Sequence, residues 1–163
     1  MNKKVIAKII SAANRITERT RPTLNTAITL SANGHVGQTG KNGEPYILHP
    51  IRVMLQMKTE QERIVAVLHD IIEDTEMSAN HLLFMGYSDK VVDAVVAITK
   101  LPGEKYLDYL GRVNANPIAR KVKIADIKDN LSEDRIKNCC PPCGPSVRAR
   151  LWHKYQKALV ILS

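Results

Sequence analysis

Six consecutive positions, His69-Asp70-Ile71-Ile72-Glu73-Asp74, carry one imidazole and three carboxylates inside an apolar run that begins at Ala66. Ionised groups are costly to bury unless something compensates them, and a metal cation is an economical partner for a histidine beside carboxylates. Read as helix, the stretch puts His69 and Glu73 on one face and Asp70 and Asp74 on the next, each pair one turn apart. In that reading His69 and Asp70 hold a divalent cation, while Glu73 and Asp74 orient water and move its proton. A solvated helix end around a satisfied core histidine would leave the same pattern.

Two other places supply groups of the same kind. His49 precedes Pro50, which should open a helix at its favoured first position and push His49 out of helical geometry to project from a junction. Asp126 falls among the apolar residues Val122, Ala125 and Ile127. Singly, His49 could be a cap and Asp126 the partner of a core arginine. Together with His69 and Asp70 they make a set of two imidazoles and two carboxylates. Such a set suits Mn²⁺, Fe²⁺ or Zn²⁺ better than the all-oxygen shell of Ca²⁺ or Mg²⁺. Four protein ligands around an octahedral ion leave room for water and a substrate oxygen, and bound water becomes a usable nucleophile near neutral pH.

The elements that must position these groups read as helices. Val5, Ile6, Ile9, Ile10, Ala13 and Ile16 form one apolar stripe over about 2–18. A second helix should run from Leu24 to Asn33 with Gly34 capping its end. The glycines and proline between His35 and Pro45 mark a loop, suited to bringing backbone N–H groups and Lys41 to an anion. Thr59-Glu60-Gln61-Glu62 has the form of a capping box. It opens a helix apolar on most sides and therefore central, with His69 to Asp74 toward its C-terminal end. Ser78 and Ser88 should cap two more helices, the first ended by Gly86. A helix over about 104–114 should expose Tyr106, Tyr109 and Arg112. Asn116-Pro117 should open the one that buries Ile118, Val122, Ala125 and Leu131, with Ile124 and Ile127 flanking. A last helix should span about 147–162, with Leu151, Trp152, Tyr155, Leu159 and Leu162 available to pack. No strand alternation or internal repeat is visible. The expectation is an all-α fold: one compact bundle of about nine helices over residues 1–163, with the motifs in a core of about 24–131.

The chain has 163 residues, 44% hydrophobic, enough for one domain with a real core. The formal charge of +8 favours anionic partners. Aromatics make up only 4% and the basic residues are dispersed, which argues against single-stranded nucleic acid and leaves a polyphosphate ligand. No apolar run approaches the roughly 20 residues needed to cross a bilayer, and the N-terminus lacks a signal-peptide pattern. A cytoplasmic protein without membrane contact is expected. The three cysteines, Cys139, Cys140 and Cys143, share one Pro-rich loop and make no disulfide framework.

The three motif segments have a wider resemblance. His49, His69-Asp70 and Asp126 resemble the H…HD…D signature of the HD superfamily of metal-dependent phosphohydrolases. Gly37-Gln38, Lys41, Gly43 to Pro50, Leu68 to Thr75, and Val122 to Asp126 with Asn130 are similar to the corresponding stretches of RelA/SpoT-type hydrolase domains. The resemblance implies a helical HD domain, a Mn²⁺ ion (with Fe²⁺ or Zn²⁺ as the other candidates), and removal of the 3′-pyrophosphate from ppGpp or pppGpp. It implies His49, His69, Asp70 and Asp126 as metal ligands and Glu73 and Asp74 as the catalytic pair. Lys41, Asn42 and Asn130 become contacts to substrate phosphate or ribose; Lys100 and Arg112 are added as cations at a helix end and on an exposed face. Three positions depart from the family: Gly40 where an arginine usually precedes Lys41, Ile127 where arginine follows the last ligand, and Asp129 where a histidine precedes the asparagine. The first bears on guanine selectivity, the others on the surroundings of the metal. Two other readings stay open: hydrolysis of another nucleotide, and metal-dependent nucleotide binding without turnover.

Overall fold

The computed structural model describes residues 4, 21–40, 43–132 and 145–163, the side chains of 145–148 excepted. The expected helix over 2–18 and the cysteine-bearing loop lie outside the described residues.

Side-chain caps open four of the eight described helices. Thr23 accepts from the Thr26 N–H and starts α1, Leu24–Gly34. α2 spans Leu48–Leu55. Thr59 and Glu62 form the reciprocal capping box that starts α3, Glu60–Leu68. Ser78 caps α4, Ala79–Phe84, with His81 closing the box. α5 is Asp89–Ile98 and α6 is Tyr106–Ala115. Asn116 accepts from the N–H groups of Ile118 and Ala119 and starts α7, Pro117–Asn130, with Pro117 inside the first turn, where its missing N–H costs nothing. α8 is Pro145–Leu162. Among the described residues these eight helices are joined by no strand; a single antiparallel bridge, Thr39 to Pro45, pins the glycine-rich loop.

The core forms around α3. Ile64, Val65, Ala66, Val67 and Leu68 are all buried, so the helix must be covered on every side, and it packs against α1, α2, α5 and α7. α7 is the second hub, touching α2, α3, α5, α6 and α8. Each fully buried Val or Leu in this core contributes about 1.5–3 kcal/mol relative to exposure. The metal-type residues come from the C-terminal end of α3, the start of α2 and the last turns of α7, which these contacts bring together.

Several expectations are corrected. His49 is not outside its helix: it is the second residue of α2. The chain is already wound there by the N–H groups of Leu48 and His49 bonding the carbonyls of Pro45 and Tyr46, at 3.1 and 2.9 Å. Pro50 then sits where no intrahelical N–H bond is lost. α3 ends at Leu68, so His69 to Glu73 form a run of turns beyond the helix. That run is held by Asp74 N to Asp70 O, by Gln38 Nε2 to Asp74 O and by Lys100 N to the Glu73 carboxylate, each at 2.9 Å. Partners from other elements replace the helical ladder. Tyr109 is buried, its hydroxyl donating to Ile98 O at 2.7 Å. Ile127 is buried too, while Trp152 is exposed.

Gly34 is the last residue of α1, and no left-handed conformation is recorded for it. Its lack of a side chain serves a close approach: a Cβ there would lie 2.5 Å from Ile71 Cδ1 and 3.4 Å from Thr75 Cγ2. α1 thus presses directly on the turns that carry the acidic pair. Gly34→Val should lower stability by about 1–3 kcal/mol through overpacking, read as a fall in the urea midpoint, and Ile71→Val in the same background should recover part of it. An unchanged midpoint in Gly34→Val would show that the contact is not tight.

Candidate metal centre

Four side chains from three elements meet in one place. His49 Nε2 lies 3.1 Å from Asp126 Oδ1 and 3.8 Å from Asp70 Oδ2. His69 Nε2 lies 2.9 Å from Asp70 Oδ2 and 3.9 Å from Asp126 Oδ1. Ligands each about 2.1 Å from a common ion stand about 3–4 Å from one another, so these spacings fit a shared cation. The ligand atoms of His49, His69 and Asp126 all fall within 4.8 Å of one another, and all three residues are buried.

The orientation of both imidazoles is determined by what holds their far nitrogens. His69 Nδ1 is 2.7 Å from the Ala66 carbonyl and His49 Nδ1 is 2.7 Å from the Asp129 carboxylate. Neither partner has a proton to give, so each Nδ1 carries the hydrogen and each Nε2 faces the centre. His69 Nε2 is buried and off the line of any protein hydrogen bond. An orphaned, inward-facing ring nitrogen beside two carboxylates is what a missing divalent cation would leave.

The charges balance around that point. Asp70, Asp126 and Asp129 bring three negative charges. Lys123 Nζ sits 2.8 Å from Asp126 Oδ2, and Arg52 Nε 2.8 Å from Asp129 Oδ1, so two are returned. Burial alone pushes the His69 imidazole toward neutrality, but the adjacent Asp70 carboxylate, with Asp126 behind it, holds its pKa up to about 9. Burial likewise opposes ionisation of Asp70, and the nearby His69 outweighs it, bringing Asp70 down to about 2. Asp126 is held well below the usual carboxylate range against its burial, chiefly by Lys123. Without metal the His69 proton closes the balance. A divalent cation in place of that proton adds one further positive charge to this buried cluster.

That cavity, about 360 Å³, is lined by Thr39, Gly40, Tyr46, His49, Asp70, Glu73, Asp74, Lys123, Asp126, Asn130 and Tyr155. Glu73 and Asp74 stand exposed at its rim, beside the buried ligands. The Tyr46 hydroxyl donates to Asp70 and, at 3.0 Å, to Asp74 Oδ2, tying ligand and rim together. Burial and then these two carboxylates raise the Tyr46 pKa, so it stays a donor. Asn130 donates to Asp126 Oδ1.

Other anticipated contacts are placed differently. Lys41 and Asn42 lie outside the described residues. Lys100 meets the site through its backbone N–H on Glu73; its side chain is not among the groups lining the cavity. The Arg112 guanidinium binds the carbonyls of Val96, Ala97 and Thr99 and both oxygens of Glu104. It closes the C-terminal end of α5 and holds the loop from which Lys100 reaches Glu73. Residues with no site role assigned from sequence are Tyr46, Arg52, Lys123 and Tyr155, and Asp129 is anticipated only as a change in the surroundings of the metal. Lys123 and Asp129 carried a signal: each is three residues from Asp126, on the same helix face.

No family model matches the chain. The chain is 30% identical over 122 residues to the guanosine-3′,5′-bis(diphosphate) 3′-pyrophosphohydrolase of Vibrio cholerae, covering 72% of this chain and 17% of that protein. It is 35% identical over 89 residues to the bifunctional (p)ppGpp synthase/hydrolase SpoT of Escherichia coli, covering 52% of this chain and 12% of that protein. The chain thus spans only a small part of these relatives' length. A solved structure of a metazoan ortholog of SpoT that hydrolyzes ppGpp superposes with a TM-score of 0.72 over 88% of both chains, at 22% identity, and shares the fold.

A ligating His69 must give up its Nε2 proton. Divalent-metal affinity should therefore rise about tenfold per pH unit below pH 9 and flatten above it, measured by calorimetric titration of the metal-free protein. In the metal-free protein the charged His69 contributes stability fully below its ordinary value of 6.5, and that contribution is lost as pH rises through about 9. A pH-independent affinity would remove His69 from the ligand set.

Proposed function

We propose that this chain, an HD-superfamily domain of the RelA/SpoT hydrolase type, removes the 3′-pyrophosphate of guanosine 3′,5′-bis(diphosphate), yielding GDP and pyrophosphate. The observation that carries the reading is the convergence of His49, His69, Asp70 and Asp126 on one point, in a cavity with Glu73 and Asp74 at its rim. The relatives named for this reaction support the choice of substrate. We read the whole chain as one hydrolase domain: α8 packs on α6 and α7, and its Tyr155 lines the cavity.

The ligand set fits Mn²⁺, with Fe²⁺ or Zn²⁺ as alternatives. Such an ion, when bound, supplies Lewis acidity at a phosphoryl oxygen and lowers the pKa of water. The chain's own residues do the rest. Lys123 and Asn130 hold Asp126 in place. Glu73, anchored by the Lys100 N–H, takes a proton from the water that attacks phosphorus. The bond from phosphorus to the 3′-oxygen breaks, and the acidic pair returns a proton to that oxygen. Asp74, steadied by Tyr46, shares this proton traffic. The setting in this reading is the cytoplasm, with a small nucleotide polyphosphate as partner. Among the described residues no helix is long and apolar enough to cross a membrane.

One observation favours a second reading. Gly40 lines the cavity where the family has an arginine, and it brings no side chain of its own to that wall. A different nucleotide would then be the substrate at the same centre.

Incubation with ppGpp and Mn²⁺ followed by nucleotide separation tests both readings. GDP with pyrophosphate is the expected outcome. Turnover confined to other nucleotides favours the second reading, and binding without product sinks both. Glu73→Gln retains an acceptor for the Lys100 N–H; it should bind metal like the wild type while kcat falls about 10²–10⁴-fold. Full turnover in Glu73→Gln would take the proton-transfer role from this residue.

A further inference from the structure

The two histidines of the centre are backed differently. His69 Nδ1 donates to a neutral backbone carbonyl, whereas His49 Nδ1 donates to a buried carboxylate, Asp129 Oδ2, at 2.7 Å. We propose that Asp129 is a positioning residue for the cation: it holds His49 with Nε2 turned to the centre and strengthens that nitrogen as a donor, while Arg52 keeps the Asp129 carboxylate in place. The inference rests on the reading of this centre as a metal site.

The geometry supports each part. An ionised carboxylate accepts but cannot donate, so it admits only the His49 tautomer protonated at Nδ1. The opposite nitrogen is the one that stands 3.1 Å from Asp126 Oδ1 and 3.8 Å from Asp70 Oδ2. A hydrogen bond to a charged acceptor is stronger than one to a neutral carbonyl. It draws the Nδ1 proton away and leaves more electron density at Nε2, the effect that makes carboxylate-backed histidines better ligands.

The Arg52 Nε is 2.8 Å from Asp129 Oδ1 and Nη2 is 3.4 Å from Oδ2, so the arginine engages both carboxylate oxygens. Arg52 is in turn 3.6 Å from Glu44, in the pinned glycine-rich loop. The arrangement also sets register. His49 and Arg52 are one turn apart on α2, and Asp126 and Asp129 are one turn apart on α7. Sliding either helix by a turn would set unlike partners opposite one another and leave a buried carboxylate without its arginine, a costly state.

The test uses the metal-stripped full chain. Mn²⁺ affinity is measured from the free-ion EPR signal and Co²⁺ affinity from its visible absorption. Three variants are compared with the wild type. Asp129→Asn keeps the shape and an acceptor but removes the charge. The double variant Arg52→Gln/Asp129→Asn also removes the arginine that the first would leave without a counter-charge, and serves if the single variant does not fold. Glu62→Gln weakens the α3 cap and its contact with Lys121, far from the centre, and controls for loss of stability alone. Both Asp129 variants should bind Mn²⁺ and Co²⁺ about 10–100-fold more weakly, with Glu62→Gln unchanged. Affinity within about twofold of wild type in Asp129→Asn, or an equal loss in Glu62→Gln, would overturn the inference while leaving the metal centre standing. A wild-type chain that takes up neither ion would overturn the metal reading, and this inference with it.

Discussion

Three largely buried carboxylates around two inward-facing imidazoles cannot exist uncompensated in a protein interior, and the rest of the molecule answers that constraint. Each carboxylate has its own device. Asp126 is held by Lys123 and Asn130, Asp129 by Arg52, and Asp70 by the Tyr46 hydroxyl and the neighbouring His69. The fixed cations leave the cluster one positive charge short. In the metal-free site the elevated proton affinity of His69 makes up the difference.

Such a cluster needs a rigid frame, because a misplacement of an ångström breaks the shared ligation. α3 provides it by being apolar on all sides and packed by four other helices. His69 caps its C-terminal end, and the turns beyond carry Asp70, Glu73 and Asp74. Those turns are secured from three directions: Ile71 fits against the bare Cα of Gly34, Gln38 caps Asp74, and the Lys100 N–H holds Glu73. Arg112, far from the ligands, matters at one remove, since it binds the end of α5 and Glu104 and so shapes the loop that offers that N–H. Its full set of protein contacts explains why a cation on an exposed-looking helix face is not turned to solvent.

The relatives are much longer than this chain, which spans 17% of the Vibrio cholerae protein and 12% of the Escherichia coli one. Gly40 alters one wall of the cavity. Ile127 is buried in the core, so an arginine could not be accommodated there without repacking. Asp129 exchanges a family histidine for a charged acceptor beneath His49.

Helical class, the caps at Thr59, Ser78 and Asn116, and the identities of the four candidate ligands follow from the sequence alone. They depend on short-range rules: side-chain oxygens facing orphan N–H groups, apolar residues three and four apart, and ligand-type residues where burial would otherwise be costly. Tertiary structure decided what those rules do not reach. It wound His49 into α2, ended α3 at Leu68, buried Tyr109, consumed the Arg112 guanidinium in the frame, and brought Tyr46, Lys123, Arg52 and Asp129 around the centre. Around the centre the outcome is a competition between a local preference and a partner far along the chain, as with Arg52 and Asp129, 77 positions apart. Only the packed arrangement of α2, α3 and α7 states which partner wins.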